Sequence, residues 1–107
     1  MELAEFVCKL FDEVSLKFHP ISKQIIRCLI SVPSNIAEGA GRQYKKENIQ
    51  FVFISRATLY ELETQIELSR RLKFINNTSF NLINNKIDSC KKLINGFIKY
   101  LKDSNLK

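Results

Sequence analysis

The sequence has few of the residues that interrupt a helix or specialise a fold. Among 107 residues there are three glycines, two prolines, one histidine and no tryptophan. So few turn formers leave little room for linkers, and we expect a single domain over residues 1–107. No apolar run approaches the roughly 20 residues of a membrane-spanning helix. The start, MELAEFVCKLFDEV, carries acidic residues where a secretory signal is basic, which predicts a cytoplasmic protein without membrane contact.

Residue types that build catalytic or metal sites are also scarce. Cys8, Cys28 and Cys90 are odd in number, widely separated and set in apolar patterns, which is typical of reduced thiols packed as small apolar groups. The single histidine, His19, precedes Pro20 and has no second ligand candidate nearby. We therefore expect no metal, no cofactor and no enzymatic activity.

Acidic residues are missing above all from the C-terminal part of the chain. Residues 69–107 contain nine Lys and Arg against two acidic residues, whereas residues 1–68 contain eight against nine. This asymmetry favours an anionic partner, with RNA or DNA first, although a basic surface also serves solubility. The candidate nucleic-acid-binding residues are Arg42, Lys45, Lys46, Arg70, Arg71, Lys73, Lys91, Lys92, Lys99 and Lys102.

The spacing of apolar residues predicts four helices. The clearest runs over about residues 79–103, where Phe80, Ile83, Ile87, Cys90, Ile94, Phe97 and Leu101 follow at alternating steps of three and four. A first helix over residues 2–18 should bury Leu3, Val7, Leu10, Val14 and Phe18. A second starts at Pro20 and continues, kinked, through Pro33, and a third spans about residues 44–74. Long helices joined by short loops predict an all-α, antiparallel up-down four-helix bundle.

The third helix has apolar residues on two faces. Its main stripe holds Ile49, Val52, Phe53, Leu59, Tyr60 and Ile66, and a second stripe nearly opposite holds Phe51, Ile54 and Leu62. One bundle core cannot bury both, so the second stripe predicts self-association. A closed ring needs a head-to-tail interface, and Ile26 and Ile30 on the second helix are the expected counterpart.

The stretch SVPSNIAEGAGR, residues 31–42, has the least helix-like composition of the chain. Arg56 and Glu63 fall inside the main stripe of the third helix, and charges facing a core need partners. Ser34, Asn35 and Glu38 are the expected ones. The stretch is then a polar joint that fixes the register of the second and third helices; the alternative is a surface on which Asn35, Glu38 and Arg42 bind a ligand or RNA.

SVPSNIAEGAGR, the pair Lys46-Glu47 and the run ISRATLYELETQIELSRRL resemble the four helix bundle protein family, also called the 23S rRNA intervening-sequence protein family. The similarity is strongest over residues 25–75. It implies a four-helix bundle that assembles as a homopentameric ring with a basic surface and has no enzymatic activity. Many members are encoded in intervening sequences of 23S rRNA genes, and related accessory proteins of diversity-generating retroelements bind nucleic acid and a reverse transcriptase.

Two functions are therefore expected. The first is a non-catalytic, oligomeric protein that binds structured RNA or other nucleic acid through phosphate contacts, with weak sequence preference. The alternative is a protein-interaction scaffold whose target is another protein, such as a reverse transcriptase.

Overall fold

The computed structural model describes residues 2–13 and 20–104, which form four helices and contain no strand. The helices are α1 (Glu2–Glu13), α2 (Pro20–Ala40), α3 (Lys45–Arg71) and α4 (Asn77–Asp103). The predicted all-α, four-helix fold is confirmed. Val14 and Phe18, assigned to the first helix from their spacing, lie outside the described residues.

Each helix packs on two neighbours, in the order expected of an up-down bundle. Within the described residues, α3 packs on α2 and α4, and α1 packs on α2 and α4. At 1.5 Å per residue, α1 is about 18 Å long whereas α3 and α4 are about 40 Å. Because Glu2 bonds Lys86 at 3.1 Å, α1 begins beside the middle of α4 and covers only part of the bundle.

The core follows the predicted stripes of α1, α2 and α4. Its members are Leu3, Val7, Ile25, Cys28, Leu29, Val52, Leu59, Leu62, Ile66, Ile75, Ile83, Ile87, Ile94, Ile98 and Leu101. Helix α2 runs unbroken through Pro33 and on to Ala40, so most of SVPSNIAEGAGR is helical. Only its last residues form the turn into α3.

On α3 the buried face differs from the prediction. The residues that it buries are Val52, Ser55, Thr58, Leu59, Leu62, Ile66 and Ser69. Leu62, assigned to an outer stripe, is fully buried, and Tyr60, assigned to the core, is 46% exposed. Val52, Leu59 and Ile66 of the predicted main stripe are buried as expected. Apolarity alone set the face off centre because Ser55, Thr58 and Ser69 also belong to it, and Ser55 lies where helices α2 and α3 approach closely.

Small side chains make that approach possible. A Cβ on Gly39 would lie 2.8 Å from Phe51 Cβ and 2.9 Å from Asn48 Oδ1, so α3 crosses α2 where α2 has no side chain. The Ser55 hydroxyl donates to the Val32 carbonyl at 2.8 Å. No glycine of the chain has a positive φ, so Gly39 supplies space for α3 and not an unusual backbone angle.

The reversal from α3 to α4 brings basic residues to one end of the bundle. The Phe74 amide donates to the Ser69 carbonyl and the Lys73 amide to that of Arg70, which is the Schellman pattern. Lys73 occupies the position that usually holds glycine and has φ 61°. The Asn76 side chain then caps α4 by accepting from the Ser79 amide at 2.7 Å.

Candidate nucleic-acid interface

Arg56 and Glu63 do not join the predicted network with α2. The Arg56 guanidinium donates to Asn95 Oδ1 at 3.1 Å, and the Glu63 carboxylate accepts from Lys91 Nζ, so both pair with α4. On a helical wheel of α3 oriented by its observed buried residues, the Arg56 and Glu63 side chains point toward the α3–α4 junction. Both side chains are half-buried there.

The α2 partners of that network bond locally instead. Asn35 donates to the carbonyl and the hydroxyl of Ser31, at 2.9 and 3.0 Å, while Glu38 accepts from Arg42 at 2.7 Å. Ser34 is exposed. The contacts that do join α2 to α3 here come from Gly39 and Ser55.

A line of cross-helix contacts runs along the outer junction of α3 and α4. From one end of the bundle to the other it consists of Lys45 Nζ to the Ser104 carbonyl at 2.9 Å, Arg56 to Asn95, Lys91 to Glu63, and Arg70 over the Phe80 ring at 5.0 Å. We call this surface, with Lys73 in the turn, the α3–α4 seam. Its seven cations are Lys45, Arg56, Arg70, Arg71, Lys73, Lys91 and Lys102. Its three carboxylates are Glu63, Glu67 and Asp88, so the seam is net basic.

Aromatic rings alternate with these cations. The Phe53 ring has the Arg56 guanidinium carbon 5.0 Å and the Lys102 ammonium 5.4 Å from its centroid. Lys91 Nζ lies 5.1 Å from the Tyr60 ring. Each cation is thus held near a ring by cation–π attraction, which fixes its position while leaving it close to solvent.

Arg70 and Arg71 share the Glu67 carboxylate. Arg70 donates to both of its oxygens and Arg71 Nε donates at 3.0 Å. Hydrogen bonds from Arg70 and then Arg71 lower the pKa of Glu67 from 4.5 to about 2, so this carboxylate stays ionised at any physiological pH. It orients both guanidinium groups, whose remaining N–H donors can bind phosphate beside Lys73 and Asn77 in a shallow groove.

The Lys91 side chain is 22% exposed. Its hydrogen bond with Glu63 raises its pKa, against the effect of partial burial, and Asp88 at 3.8 Å adds to the rise. Lys91 therefore remains charged and contributes mainly to joining α3 and α4.

The structure brings six of the ten predicted nucleic-acid residues into the seam and leaves four outside. Arg42 lies in the α2–α3 turn, paired with Glu38 and 4.8 Å from the Phe51 ring. Lys46, Lys92 and Lys99 are exposed. On α4, Lys92 is turned about 100° from Lys91 and so faces away from the seam. Lys99 lies beside Gly96, Tyr100 and Asp103.

The predicted interface residues separate into two groups. Ile30 is 59% and Ile54 48% exposed, whereas Ile26 and Phe51 are half-buried, with Ile26 packed against the core. Leu62 leaves this set because it belongs to the core. Beside the start of α1, an apolar pocket of about 170 Å³ is lined by Leu3, Ala4, Leu29, Val32, Pro33, Ile36, Leu59, Leu62, Cys90, Leu93 and Ile94.

Sequence reasoning missed the aromatic and amide members of the seam, Phe53, Tyr60, Phe80 and Asn95. A usable signal was present on α3. Val52, Ser55, Leu59, Leu62, Ile66 and Ser69 follow at steps of three and four, the same spacing that identified α4. If serine is counted as a core residue, this spacing predicts the observed buried face of α3 and places Tyr60 outside that face.

The described part of the chain contains neither a candidate metal-binding cluster nor a candidate membrane-spanning helix. No group of three His, Cys, Asp or Glu residues there could hold a metal ion. Among the helices described, none combines the length and apolarity needed to cross a membrane.

The four-helix bundle defines the structural class of the protein, and comparison with known proteins defines the family. Residues 1–96 match the family described as 23S rRNA-intervening sequence protein, and the chain belongs to it. A crystal structure of a protein of unknown function from the S23 ribosomal protein family of Bacteroides thetaiotaomicron is similar, with a TM-score of 0.83 and 29% identity. The match covers 92% of this chain and 93% of that one. No curated protein matches the chain.

Proposed function

We propose that this protein is a cytoplasmic, non-catalytic RNA-binding protein and that the α3–α4 seam is its binding surface. The observation that carries the proposal is that seven cations and three aromatic rings lie along one junction of the bundle, between α3 and α4. Family membership supports RNA as the class of nucleic acid.

The seam suits a phosphate backbone for physical reasons. Arginine side chains oriented by Glu67 offer paired donors to phosphate oxygens. Lys73 and Lys102 are exposed and add point charges at the two ends. Phosphate contacts displace counterions, so affinity should fall steeply with salt and depend little on sequence.

The test compares two pairs of charge removals. Lys73→Gln with Lys102→Gln removes two seam cations; Lys9→Gln with Lys23→Gln removes two exposed cations from α1 and α2. In a plot of log affinity for RNA against log salt, the seam pair should lower the slope by about 1.4 for a single strand. The α1–α2 pair should leave it unchanged. RNA affinity that does not change between low and moderate salt contradicts the proposal.

Self-association belongs to the same proposal. Ile54 on α3 and Ile30 on α2 are exposed apolar residues on different helices, as a head-to-tail ring requires, and Phe51 and Ile26 lie one helical turn before them. Family resemblance supplies five as the number of subunits. Light scattering should show a folded, smaller species for Ile30→Glu with Ile54→Glu, and an unchanged mass for the control Leu82→Glu. A native monomer contradicts this part.

A second candidate function is supported by the apolar pocket beside α1. Leu93, 73% exposed, lies at its rim, and such a surface suits a protein partner. A reverse transcriptase, the protein partner that the family resemblance implies, is the one to test. Leu93→Asp should abolish binding of that purified enzyme and leave RNA affinity unchanged. If Leu93→Asp leaves the enzyme bound as before, the pocket is not its binding surface.

A further inference from the structure

Tyr60 stands out among the aromatic residues of the seam. It is 46% exposed in the middle of the seam, whereas Phe53 and Phe80 are half-buried. Its ring carries the Lys91 ammonium 5.1 Å from the centroid, and Glu63 holds that ammonium in place. A large aromatic side chain is thus kept in a defined position with nearly half of its surface open to solvent.

The surroundings of Tyr60 match the requirements of an unpaired nucleotide. Arg56, one helical turn before Tyr60 on α3, donates to Oδ1 of Asn95 on α4, and the Asn95 amide nitrogen can donate to a ligand. Cations for phosphates lie on both sides along the seam, Lys102 toward one end and Arg70 toward the other. An open ring between phosphate contacts is the arrangement with which proteins bind single-stranded RNA.

Phosphate contacts do not by themselves distinguish a duplex from a single strand, but an exposed ring does. In a duplex the faces of the bases are covered by their neighbours, whereas unpaired bases can stack on an aromatic side chain. Resting on the proposed RNA-binding function, we propose that the seam prefers single-stranded RNA segments and that Tyr60 is the residue on which an unpaired base stacks.

The experiment measures fluorescence anisotropy at one salt concentration with a labelled oligouridylate and with an RNA duplex of the same length. The variants are Tyr60→Ala and Tyr60→Phe, with Tyr100→Ala as the control. Tyr100 is 60% exposed on α4 and stacks on Phe97, outside the seam. Thermal unfolding checks that each variant is folded, as expected for substitutions of partly exposed residues.

Wild-type protein should bind oligouridylate more tightly than duplex. Tyr60→Ala should weaken oligouridylate binding about tenfold, since stacking of one base contributes on the order of 1–3 kcal/mol and 1.4 kcal/mol is a factor of ten. Tyr60→Phe keeps the ring and should bind like wild type, and Tyr60→Ala should leave duplex affinity unchanged.

The possible failures are distinguishable. Salt-dependent binding of both RNAs with equal affinity, unaffected by Tyr60→Ala, overturns the stacking role and leaves the proposed function in place. An equal loss in Tyr100→Ala also overturns it. If wild-type protein binds neither RNA, the proposed function itself fails.

Discussion

Helix α3 makes two contacts of opposite character. Toward α2 it presents Ser55 and Thr58 beside Leu62, and the two backbones approach so closely that Gly39 has no room for a Cβ. Toward α4 it presents Arg56 and Tyr60, whose long side chains reach across the junction at the surface. One contact excludes water by close packing, and the other keeps charged groups near water.

The two sides of α3 therefore have different expected roles: the side that contacts α2 stabilises the fold, and the side that contacts α4 is available for ligand binding. Close-packed interfaces lose stability when even one methyl group is added or removed. Exposed or half-exposed ion pairs contribute little to stability, so their charges remain available for a ligand. Substitutions on the α2 side should therefore change the free energy of unfolding, and those on the seam should change RNA affinity.

Leu62→Ala should give the largest loss. Truncating a fully buried leucine removes apolar contacts and leaves a cavity, at a cost of about 2–5 kcal/mol. Urea unfolding measures it. The control Leu68→Ala, at an exposed position of α3 outside the proposed subunit interface, should stay within about 0.5 kcal/mol of wild type. If both variants lost the same amount, Leu62 would not occupy the core of the subunit.

Gly39→Ala should destabilise by about 1–3 kcal/mol, because the new methyl group meets Phe51 Cβ and Asn48 Oδ1 and forces α2 and α3 apart. Gly96→Ala is the matched control. A Cβ there has no heavy atom within 4 Å, so it should stabilise α4 by about 0.5–1 kcal/mol. Thermal unfolding of both variants measures whether each substitution stabilises or destabilises the protein. A stabilising Gly39→Ala would contradict the close approach of α2 and α3 at Gly39.

Lys73→Gly should stabilise the protein and weaken RNA binding. A lysine at φ 61° is strained by about 1–2 kcal/mol, and glycine removes that strain while gaining freedom in the unfolded chain. The net gain should be about 0.5–1 kcal/mol in urea unfolding, with a lower RNA affinity in the same preparation. A gain in stability without any change in RNA affinity would show that Lys73 does not contribute to RNA binding.

Glu63→Gln should have the smallest effect, under about 1 kcal/mol, because both Glu63 and its partner Lys91 are partly exposed. Removing one partner of a fully buried pair would cost about 3–5 kcal/mol. Because Glu63 raises the pKa of Lys91, the contribution of the pair is present below the ordinary lysine value of 10.5. It is lost as pH rises through the raised pKa. A loss of unfolding free energy above about 3 kcal/mol at neutral pH would instead indicate that Glu63 belongs to a buried network.

Apolar spacing was sufficient for the fold but not for the faces of α3. On α4 the predicted residues are buried or packed against the core, and Ile98 joins them. On α3 the predicted residues Val52, Leu59 and Ile66 are buried, but Ser55, Leu62 and Ser69 are buried as well, so the centre of the buried face is rotated away from the centre of the predicted stripe. For the candidate site, charge asymmetry indicated the C-terminal part of the chain, yet pairing of cations with Phe53 and Tyr60 depends on how α3 and α4 are rotated against each other.

The short α1 has a consequence for motion. It begins beside the middle of α4 and buries Leu3 and Val7, while the longer helices α2, α3 and α4 continue past it. Amide groups of α1 should therefore exchange with solvent through a local opening that leaves the other three helices paired. Such an opening widens the apolar pocket, so the protein holds two energetic units, a slow-exchanging three-helix body and a faster lid.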